Sequence, residues 1–222
     1  VAVCADAASM PRDVQPDAIV MAVKPQSMAA VAPAYRALAA NAVTISIAAG
    51  TRIGFFQETF GHEAAVVRVM PNTPAAIGRG MSVLCANGAA SSAQRDLSET
   101  LMRAAGAVDW IEDGGRMVAV TAHSGSGPAY VFHLIEAMAA AGEKLGLSPA
   151  LAAKAALETV AGAGELARGA AEAPATLRQN VTSPGGTTAA ALGVLMADDG
   201  LTRLMTRAMT AARDRGRELA KG

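Results

Sequence analysis

Two glycines and two threonines stand at the start of a helical pattern near the C-terminus, in the stretch TSPGGTTAAALGVL that ends at Leu195. The first amides of a helix have no intrahelical acceptor and carry partial positive charge, and glycine lets an anion approach them closely. Thr187, Thr188 and Ser183 add hydroxyls at the same end. The pattern predicts a site for one carboxylate beside a nitrogen or oxygen atom. A helix start capped by Ser183 or Thr187, without any ligand, fits the same residues equally well.

Three loops that follow predicted strands are candidates for lining a cofactor: AVKPQ (22–26), SIAAG (46–50) and VMPNTP (69–74). Ligands of open α/β sheets bind at the carboxyl ends of the strands. Pro25 keeps Lys24 out of the α region, so the backbone there should stay extended and let Lys24 face a phosphate. Each loop alone is typical of an ordinary connection, but three in succession favour a shared cofactor edge.

Short apolar runs alternate with helical patterns over residues 1–112, which predicts an α/β domain with helices on the faces of its sheet. We expect strands at 18–23, 43–50, 64–70, 81–87 and 107–112, and helices at 27–40, 52–60 and 92–105. The run at 18–23 is typical of a strand buried on both faces, and VAVC at the start is typical of a strand interior. After Asp113 every pattern is helical, over 127–146, 148–168, 175–180, 187–198 and 201–222. The domain boundary is therefore expected between residues 112 and 113.

The glycine fingerprint of a dinucleotide-binding fold, GxGxxG between the first strand and the first helix, is not found after any predicted strand. The stretch SGSGPAY (124–130) follows a helical segment instead, and we interpret it as a helix start capped by Ser126. We expect that the chain begins part-way into its first domain and that the fingerprint lies before Val1. His123 and His133 fit packing or surface roles better than catalysis.

The composition argues against several classes of function. Nineteen basic residues balance nineteen acidic ones without a long run of one sign, so nothing points to nucleic acid or an anionic membrane surface. Cys4 and Cys85 lie far apart, which favours a reducing compartment, and three histidines without a paired cysteine give no support for a metal site. No apolar stretch of roughly twenty uninterrupted residues and no signal segment is recognisable. We expect a cytoplasmic protein that binds no metal, nucleic acid or membrane.

The helical pattern over 127–146 is apolar around most of its circumference. Such a helix needs burial on most of its sides, and five helices offer little cover. A partner subunit is the expected source of that cover, so the sequence favours a homo-oligomer.

Three stretches, VMPNTPAAIGRG, VTAHSGSGPAYVF and LRQNVTSPGGTTAAAL, resemble pyrroline-5-carboxylate reductase in their order and spacing. The resemblance covers the whole chain, and the last stretch is a highly specific signature. It implies a Rossmann-type dinucleotide-binding domain over 1–112, with its first βαβ segment missing, followed by an all-α substrate-binding and dimerisation domain over 113–222. It also implies reduction of 1-pyrroline-5-carboxylate to L-proline with NADPH or NADH, the last step of proline biosynthesis. The assembly implied is a homodimer or a decamer built from five dimers.

The resemblance assigns residues to the substrate and to the cofactor. Ser183 and the amides of Gly186 and Thr187 would hold the carboxylate, and Thr188 would hydrogen-bond the ring nitrogen. Asn180 would lie between substrate and cofactor. The other cofactor-lining positions implied are Ala22, Val23, Lys24, Pro25, Ala48, Ala49, Gly50, Met70, Pro71 and Asn72. A protonated imine is already electrophilic, so its reduction needs alignment and a hydrogen-bonded nitrogen more than a strong acid.

The chain departs from the family pattern at Val118, where an acidic residue is usual, and at His123, where a small or apolar residue is usual. Without a pyrophosphate loop, cofactor affinity is expected to fall heavily, and the chain on its own to be inactive or weakly active. Two other functions remain open. One is a related hydroxy acid reductase that uses Lys144 or Lys154 as general acid. The other is a helical oligomerisation module with a decayed nucleotide-binding fold.

Overall fold

The computed structural model describes residues 2–11 and 13–219. Its backbone contacts divide the chain into one unit formed by Val1–Ser126 with Ala212–Gly222, and a second formed by Gly127–Ala211. The domain boundary expected between residues 112 and 113 stays a prediction.

A five-stranded sheet in the order β1-β2-β3-β4-β5 forms the centre of the first unit. Its strands are β1 (Ala18–Met21), β2 (Val43–Ser46), β3 (Val66–Met70), β4 (Gly80–Ala86) and β5 (Gly106–Trp110). They overlap the five predicted runs and confirm the α/β fold. All neighbours are parallel except β3 and β4, which are antiparallel. The segment 71–79 that joins them is shorter than the crossover of a dozen or more residues that a parallel pair needs.

Each face of the sheet carries an apolar cluster. Val66 packs on one face in the cluster that contains Phe56 and Phe60, and Val67 and Leu84 pack in the other cluster. This alternation is what a strand covered on both faces requires.

Two strand predictions near the start of the chain are wrong in part. The side chain of Val20 is 48% exposed, so the run at 18–23 is not buried on both faces. Among the described residues β1 pairs only with β2, and an edge strand has fewer neighbours to cover its side chains. Residues 2–4 form no strand and Val3 is exposed, while Val1 lies outside the described residues.

The helices of the first unit are α1 (Pro25–Val31), α2 (Arg36–Ala39), α3 (Ile53–Phe60), α4 (Ser92–Arg103) and α5 (Met117–Val120). A 3₁₀ turn over Ala32–Tyr35 joins α1 to α2, so the single helix predicted over 27–40 is interrupted, and Pro33 lies in this turn. Another 3₁₀ turn occupies Thr73–Ile77 and overlaps the end of the predicted loop at 69–74. Helix α5 lies in the helical segment expected before SGSGPAY, for which no bounds were predicted.

The chain stays helical through the SGSG motif instead of starting a new helix there. A π-helical turn occupies Thr121–Gly125, and the amide of Ser126 donates to the carbonyl of Thr121 at 2.8 Å. Ser126 has helical angles, φ −85° and ψ −15°, so the predicted cap at this residue is wrong. Pro128 follows in the next helix. A proline in a helix lacks an amide hydrogen and crowds the carbonyl four residues earlier, and a wider turn relieves both problems.

The second unit is all helical, with α6 (Gly127–Lys144), α7 (Pro149–Gly169), α8 (Pro174–Asn180), α9 (Thr187–Leu195) and most of α10 (Leu201–Leu219). No strand occurs between residues 114 and 219, as predicted. Helix α7 begins with a side-chain cap: the Ser148 hydroxyl accepts a hydrogen bond from the Leu151 amide at 3.4 Å, and Pro149 is the first helical residue. Only Ala152 and Ala156 are buried within residues 127–211.

Candidate functional site

Helix α9 begins without a side-chain cap. Gly186 is its N-cap residue, with φ −81° and ψ 175°, and no side chain of the described residues accepts a hydrogen bond from the first amides. The alternative that Ser183 or Thr187 caps this helix is therefore not observed. The first turn contains no acidic side chain either. The amides at the start of α9 keep their partial positive charge available for a ligand.

The loop before α9 is held by its own hydrogen bonds. The Gly186 amide donates to the carbonyl of Ser183 at 3.1 Å, and the Thr182 hydroxyl donates to the carbonyl of Arg178 at 2.6 Å. Gly185 has φ +69°, a left-handed conformation that residues with a Cβ atom rarely adopt. Because the Gly186 amide is already engaged, the Thr187 amide and the amides after it are better placed to receive a carboxylate.

The predicted substrate residues all lie in one continuous segment of the second unit, 180–188. Asn180 is the last residue of α8 and is exposed, and Ser183 and Thr187 are exposed as well. Thr188 is half-buried at the second position of α9. The short turn between α8 and α9 therefore keeps these polar side chains close along the chain.

The predicted cofactor residues lie at the carboxyl ends of β1, β2 and β3. These three strands are parallel neighbours, so their carboxyl ends share one edge of the sheet, as predicted from the three loops. Lys24 is the N-cap residue of α1 with φ −59° and ψ 142°, which confirms the extended backbone expected before Pro25. Gly50 has φ +82°, so the backbone turns sharply after Ala49.

The loop after β3 is cross-linked to the π-helical turn. Asn72 Oδ1 accepts a hydrogen bond from the Met81 amide at 2.9 Å, and its Nδ2 donates to the carbonyl of Ser124 at 3.2 Å. Gly125 packs so closely on Met70 that a Cβ atom at residue 125 would overlap the Met70 Cε. The sequence indicated neither contact, because the residues that meet are far apart along the chain. Both polar atoms of the Asn72 side chain therefore already have a partner within the protein.

A buried arginine and a buried cysteine stand opposite each other on β3 and β4. Arg68 is 9% exposed, and burial lowers the pKa of its guanidinium. Burial also raises the pKa of the Cys85 thiol, an effect that the nearby Arg68 charge partly offsets. The thiol therefore stays protonated near neutral pH, which argues against a role as a nucleophile.

The remaining histidines and lysines singled out in the sequence lie at the surface. His133 is exposed and its Nδ1 lies 3.1 Å from the Glu136 carboxylate, and His123, Lys144 and Lys154 are exposed too. Within residues 2–11 and 13–219 there is no group of three histidine, cysteine or acidic side chains placed to hold a metal ion. In the same part of the chain, no helix has the length and apolar character needed to cross a membrane.

Comparison with known sequences gives one consistent set of relatives. Residues 115–219 match the family described as pyrroline-5-carboxylate reductase dimerisation. Pyrroline-5-carboxylate reductase of Pseudomonas aeruginosa is 45% identical over 206 residues, which cover 92% of this chain and 75% of the relative. The enzyme of Pisum sativum is 39% identical over 203 residues, which cover 91% of this chain and 73% of the relative.

Solved structures agree with these relatives. A pyrroline-5-carboxylate reductase from Coxiella burnetii has a TM-score of 0.87 at 38% identity, with 91% of this chain and 76% of that chain covered. A pyrroline carboxylate reductase from Plasmodium falciparum, solved with NADP bound, has a TM-score of 0.78 at 33% identity, with 92% and 77% covered. Both likenesses confirm the predicted order of an α/β sheet domain followed by a helical region.

Proposed function

Because the chain belongs to the pyrroline-5-carboxylate reductase family, we propose that it reduces 1-pyrroline-5-carboxylate to L-proline by hydride transfer from NADPH or NADH, the last step of proline biosynthesis. The observation that carries the site assignment is the start of α9, whose first amides have no side-chain cap among the described residues. A carboxylate is one of the anions that such a helix end can bind.

The covalent structure of the substrate explains why its binding residues can be neighbours in the chain. In 1-pyrroline-5-carboxylate the carbon that bears the carboxylate is bonded directly to the ring nitrogen. Neighbouring residues of one helix end can therefore contact both groups. The Thr187 amide and the Ser183 hydroxyl hold the carboxylate, with Gly186 leaving space for its approach, while the Thr188 hydroxyl accepts a hydrogen bond from the protonated ring nitrogen.

The reaction does not require a titratable side chain as a strong acid or base. The bound nicotinamide cofactor supplies the hydride. The imine nitrogen arrives protonated, so Thr188 needs to orient its proton and does not have to donate a new one. We also assign Asn180, the last residue of α8, to contact with the substrate and the cofactor. Alignment of this kind accounts for a large part of the rate of such reactions.

The residues of the first unit fit a nicotinamide cofactor. Three loops begin at the same edge of the sheet, after β1, β2 and β3. The small residues Ala48, Ala49 and Gly50 in the second of them let a flat ring approach the backbone. Lys24 stands at the exposed start of α1, where it can meet a phosphate. We assign NADPH first, since the Plasmodium falciparum relative was solved with NADP.

The second unit requires a partner subunit. Residues 127–211 bury only Ala152 and Ala156, while Phe132 is 59% exposed and Val194 is 73% exposed. A helix with large apolar side chains on its surface is stable only when another surface covers them. We assign this cover to a second copy of the chain, consistent with the dimerisation family that 115–219 match. A decamer of five dimers is the larger assembly that we expect.

The test is a spectrophotometric assay of the purified chain in both directions. L-proline with NADP⁺ at alkaline pH should produce NADPH, because loss of the amine proton favours oxidation, and 1-pyrroline-5-carboxylate at neutral pH should consume NADPH. A 2-hydroxy acid serves as the control substrate and should give no reaction. Cofactor is supplied at high concentration in both directions, because the sequence predicts weak cofactor binding by this chain. The proposal is overturned if neither direction proceeds under these conditions, or if the hydroxy acid is oxidised in place of proline.

A further inference from the structure

Arg68 is a buried cation without a counter-charge. The residue is 9% exposed, and its guanidinium makes no hydrogen bond or ion pair with any described residue. The ionisable groups that act on its charge are the Cys85 thiol, which is protonated and therefore neutral, and Arg52, which is itself a cation. A buried charge normally has a partner of opposite sign, so this guanidinium is suited to an anion from outside the chain.

The guanidinium of Arg68 is not closed off from solvent. Within the part of the chain that the structure describes, the side-chain nitrogen and oxygen atoms that are both closed off and unpaired belong to Thr44 and Ser124. The unpaired nitrogens of Arg68 are not among them, so the small exposed area of this residue includes its charged end. A solute can therefore reach the charge from the surface.

The first turn of α3 lies over the same part of the sheet. Helix α3 connects β2 to the parallel strand β3, so it runs antiparallel to both. Its later residues Phe56 and Phe60 pack in one cluster with Val66. Arg68 lies on the same face of β3 as Val66, two residues nearer the carboxyl end, towards which α3 begins. Burial lowers the pKa of Arg68, and the charge of Arg52, the N-cap residue of α3, lowers it further.

The start of α3 has the features of an anion site. It has no side-chain cap from the described residues and no acidic side chain in its first turn. The amide of Phe55 donates to the carbonyl of Arg52 at 3.2 Å, which leaves the amides of Ile53 and Gly54 available. A Cβ atom at Gly54 would meet nothing within 4 Å, so the space beside these amides is open. Such amides carry partial positive charge and bind anions.

The combination of donors favours a phosphate group over a carboxylate. A guanidinium presents its N–H donors in a planar fork that matches two phosphate oxygens, and the helix amides add donors from a second direction. Arg52 and Arg68 together supply two positive charges, which a doubly charged anion neutralises better than a singly charged one.

We propose that Arg68 and the first turn of α3 form a phosphate-binding site, with Arg52 adding to its positive charge. The phosphate is either a free anion or a group of the bound nucleotide, since α3 follows the second of the three cofactor loops. The site does not depend on the proposed reaction, because its donors belong to the first unit and none of them is assigned to substrate or hydride.

Isothermal titration calorimetry with sodium phosphate, at constant ionic strength, tests the site in the full chain. The wild type should bind one phosphate. Arg68→Met removes the guanidinium but keeps a long side chain, and it should weaken binding at least about tenfold. Arg36→Met is the control and should bind as the wild type does, because Arg36 is exposed on α2 in the same unit.

A second pair of variants tests the helix end and does not depend on whether Arg68→Met folds. Gly54→Asp places a carboxylate near the first amides, because helical side chains lean toward the N-terminus of their helix. It should abolish phosphate binding, and it should unfold at a higher temperature than Gly54→Asn in phosphate-free buffer. Gly54→Asn has the same shape without the charge and should lose less than about threefold in phosphate affinity.

Three results overturn the inference. They are a wild type that binds no phosphate, an Arg68→Met variant that binds it as tightly as Arg36→Met, and equal phosphate affinities for Gly54→Asp and Gly54→Asn. Repeating the wild-type titration with saturating NADP⁺ identifies the source of the phosphate. Binding that persists assigns the site to the free anion. Binding that disappears assigns it to a nucleotide phosphate, and Arg68→Met should then weaken NADP⁺ binding as well.

Failure of this inference is distinguishable from failure of the proposed function, because phosphate is titrated without substrate. A wild-type chain that oxidises proline but binds no phosphate refutes the phosphate site alone. A chain that binds phosphate through Arg68 but turns over neither proline nor 1-pyrroline-5-carboxylate refutes the proposed function alone.

Discussion

The side-chain amide of Asn72 donates a hydrogen bond to the main-chain carbonyl of Ser124, which lies 3.2 Å away and 52 residues further along the chain. That carbonyl stands four residues before Pro128, which has no amide hydrogen to donate to it in a regular helix. Asn72 thus supplies a donor that the proline cannot. The same side chain accepts from the Met81 amide, so it joins the loop after β3 to both β4 and the π-helical turn.

Replacing Asn72 should therefore destabilise the first unit. Asn72→Ala removes both hydrogen bonds and leaves two partly buried backbone groups unpaired, which should lower the free energy of unfolding by about 1–3 kcal/mol. Asn72→Asp keeps an acceptor for the Met81 amide but cannot donate to the Ser124 carbonyl when ionised, so it separates the two bonds. Urea denaturation measures both variants. An unchanged midpoint for Asn72→Ala would contradict the cross-link.

A second contact in the same unit joins α5 to the end of α10. A Cβ atom at Gly216 would lie 2.9 Å from Val118 Cγ1, and Val118 occupies a position where the family pattern has an acidic residue. Glycine to alanine in a helix interior normally stabilises by about 1 kcal/mol. Here the new Cβ atom would press on the stiff, branched Val118 side chain. Gly216→Ala should therefore lower the free energy of unfolding by about 1–3 kcal/mol instead of raising it.

The matched test is a double-mutant cycle with Val118→Ala, which removes Cγ1. In that background Gly216→Ala should stabilise the protein, because only the helix propensity remains. Chemical denaturation of the four proteins gives the interaction energy. Additive effects of the two substitutions would show that the residues do not press on each other.

Most elements of this fold can be predicted from the sequence, while the contacts that hold the site together cannot. Branched apolar runs such as VTIS in β2 and the long patterns of α6, α7 and α10 are local signals, so their periodicity is sufficient to place them. The π-helical turn has the composition of an α-helix, and only the fit of Pro128 into the folded chain distinguishes it. The pairing of Asn72 with Ser124 depends on tertiary structure and leaves no local pattern.

At the candidate site, too, the sequence alone was not sufficient to predict the local structure, here the start of α9. The stretch TSPGGTT allowed a ligand site or an ordinary capped helix with equal weight. The backbone angles at Gly185 and Gly186 argue against the capped helix, because they leave no side chain in position to cap the first amides. The ligand site stays a prediction. The residue types alone do not determine those angles, since Ser183 and Thr187 are both good capping residues.

Cys85 should make the protein less stable at alkaline pH. Burial raises the pKa of its thiol above the unfolded value, so the native state holds this proton more tightly than the unfolded chain does. The resulting stabilisation is fully present below the unfolded pKa, about 8.5, and is lost as the pH rises through the higher folded value.

Unfolding free energies measured between pH 7 and pH 10 should fall less steeply in Cys85→Ala than in the wild type, whatever constant difference the smaller side chain adds. Cys4→Ala is the control, because Cys4 is exposed and Cys85 is buried. A thiol reagent should likewise modify Cys4 in the folded protein and Cys85 only after unfolding. Equal pH slopes for the wild type and Cys85→Ala would disprove the effect.

The exposed apolar surface of α6 should be the surface that a second copy covers. Phe132 is 59% exposed on α6, and Phe132→Glu would place a charge within the proposed contact. We expect this variant to sediment as a monomer and to unfold at a lower temperature, because its helices bury little within one chain. Ile77→Glu is the matched control, since Ile77 is 78% exposed in the first unit and lies outside the matched residues 115–219. A Phe132→Glu variant that remains a dimer would exclude α6 from the interface.

The strongest test of the reaction site distinguishes the role of Thr188 from the role of Thr187. Both residues stand at the start of α9, but the substrate assignment uses the hydroxyl of Thr188 and only the main-chain amide of Thr187. Thr188→Ala should lower kcat by about 10- to 100-fold, because a hydrogen bond to a charged nitrogen is lost. Thr187→Ala keeps its amide and should have nearly wild-type kinetics.

Thr188→Ser should recover most of the lost rate, since serine restores the hydroxyl without the methyl group. Circular dichroism should not distinguish the three variants from the wild type, because neither threonine side chain caps α9. A structural role for Thr188 would instead lower stability and activity together. Equal losses of kcat in Thr187→Ala and Thr188→Ala would mean that the helix end tolerates neither change, and the hydroxyl of Thr188 would then have no special part in orienting the ring nitrogen.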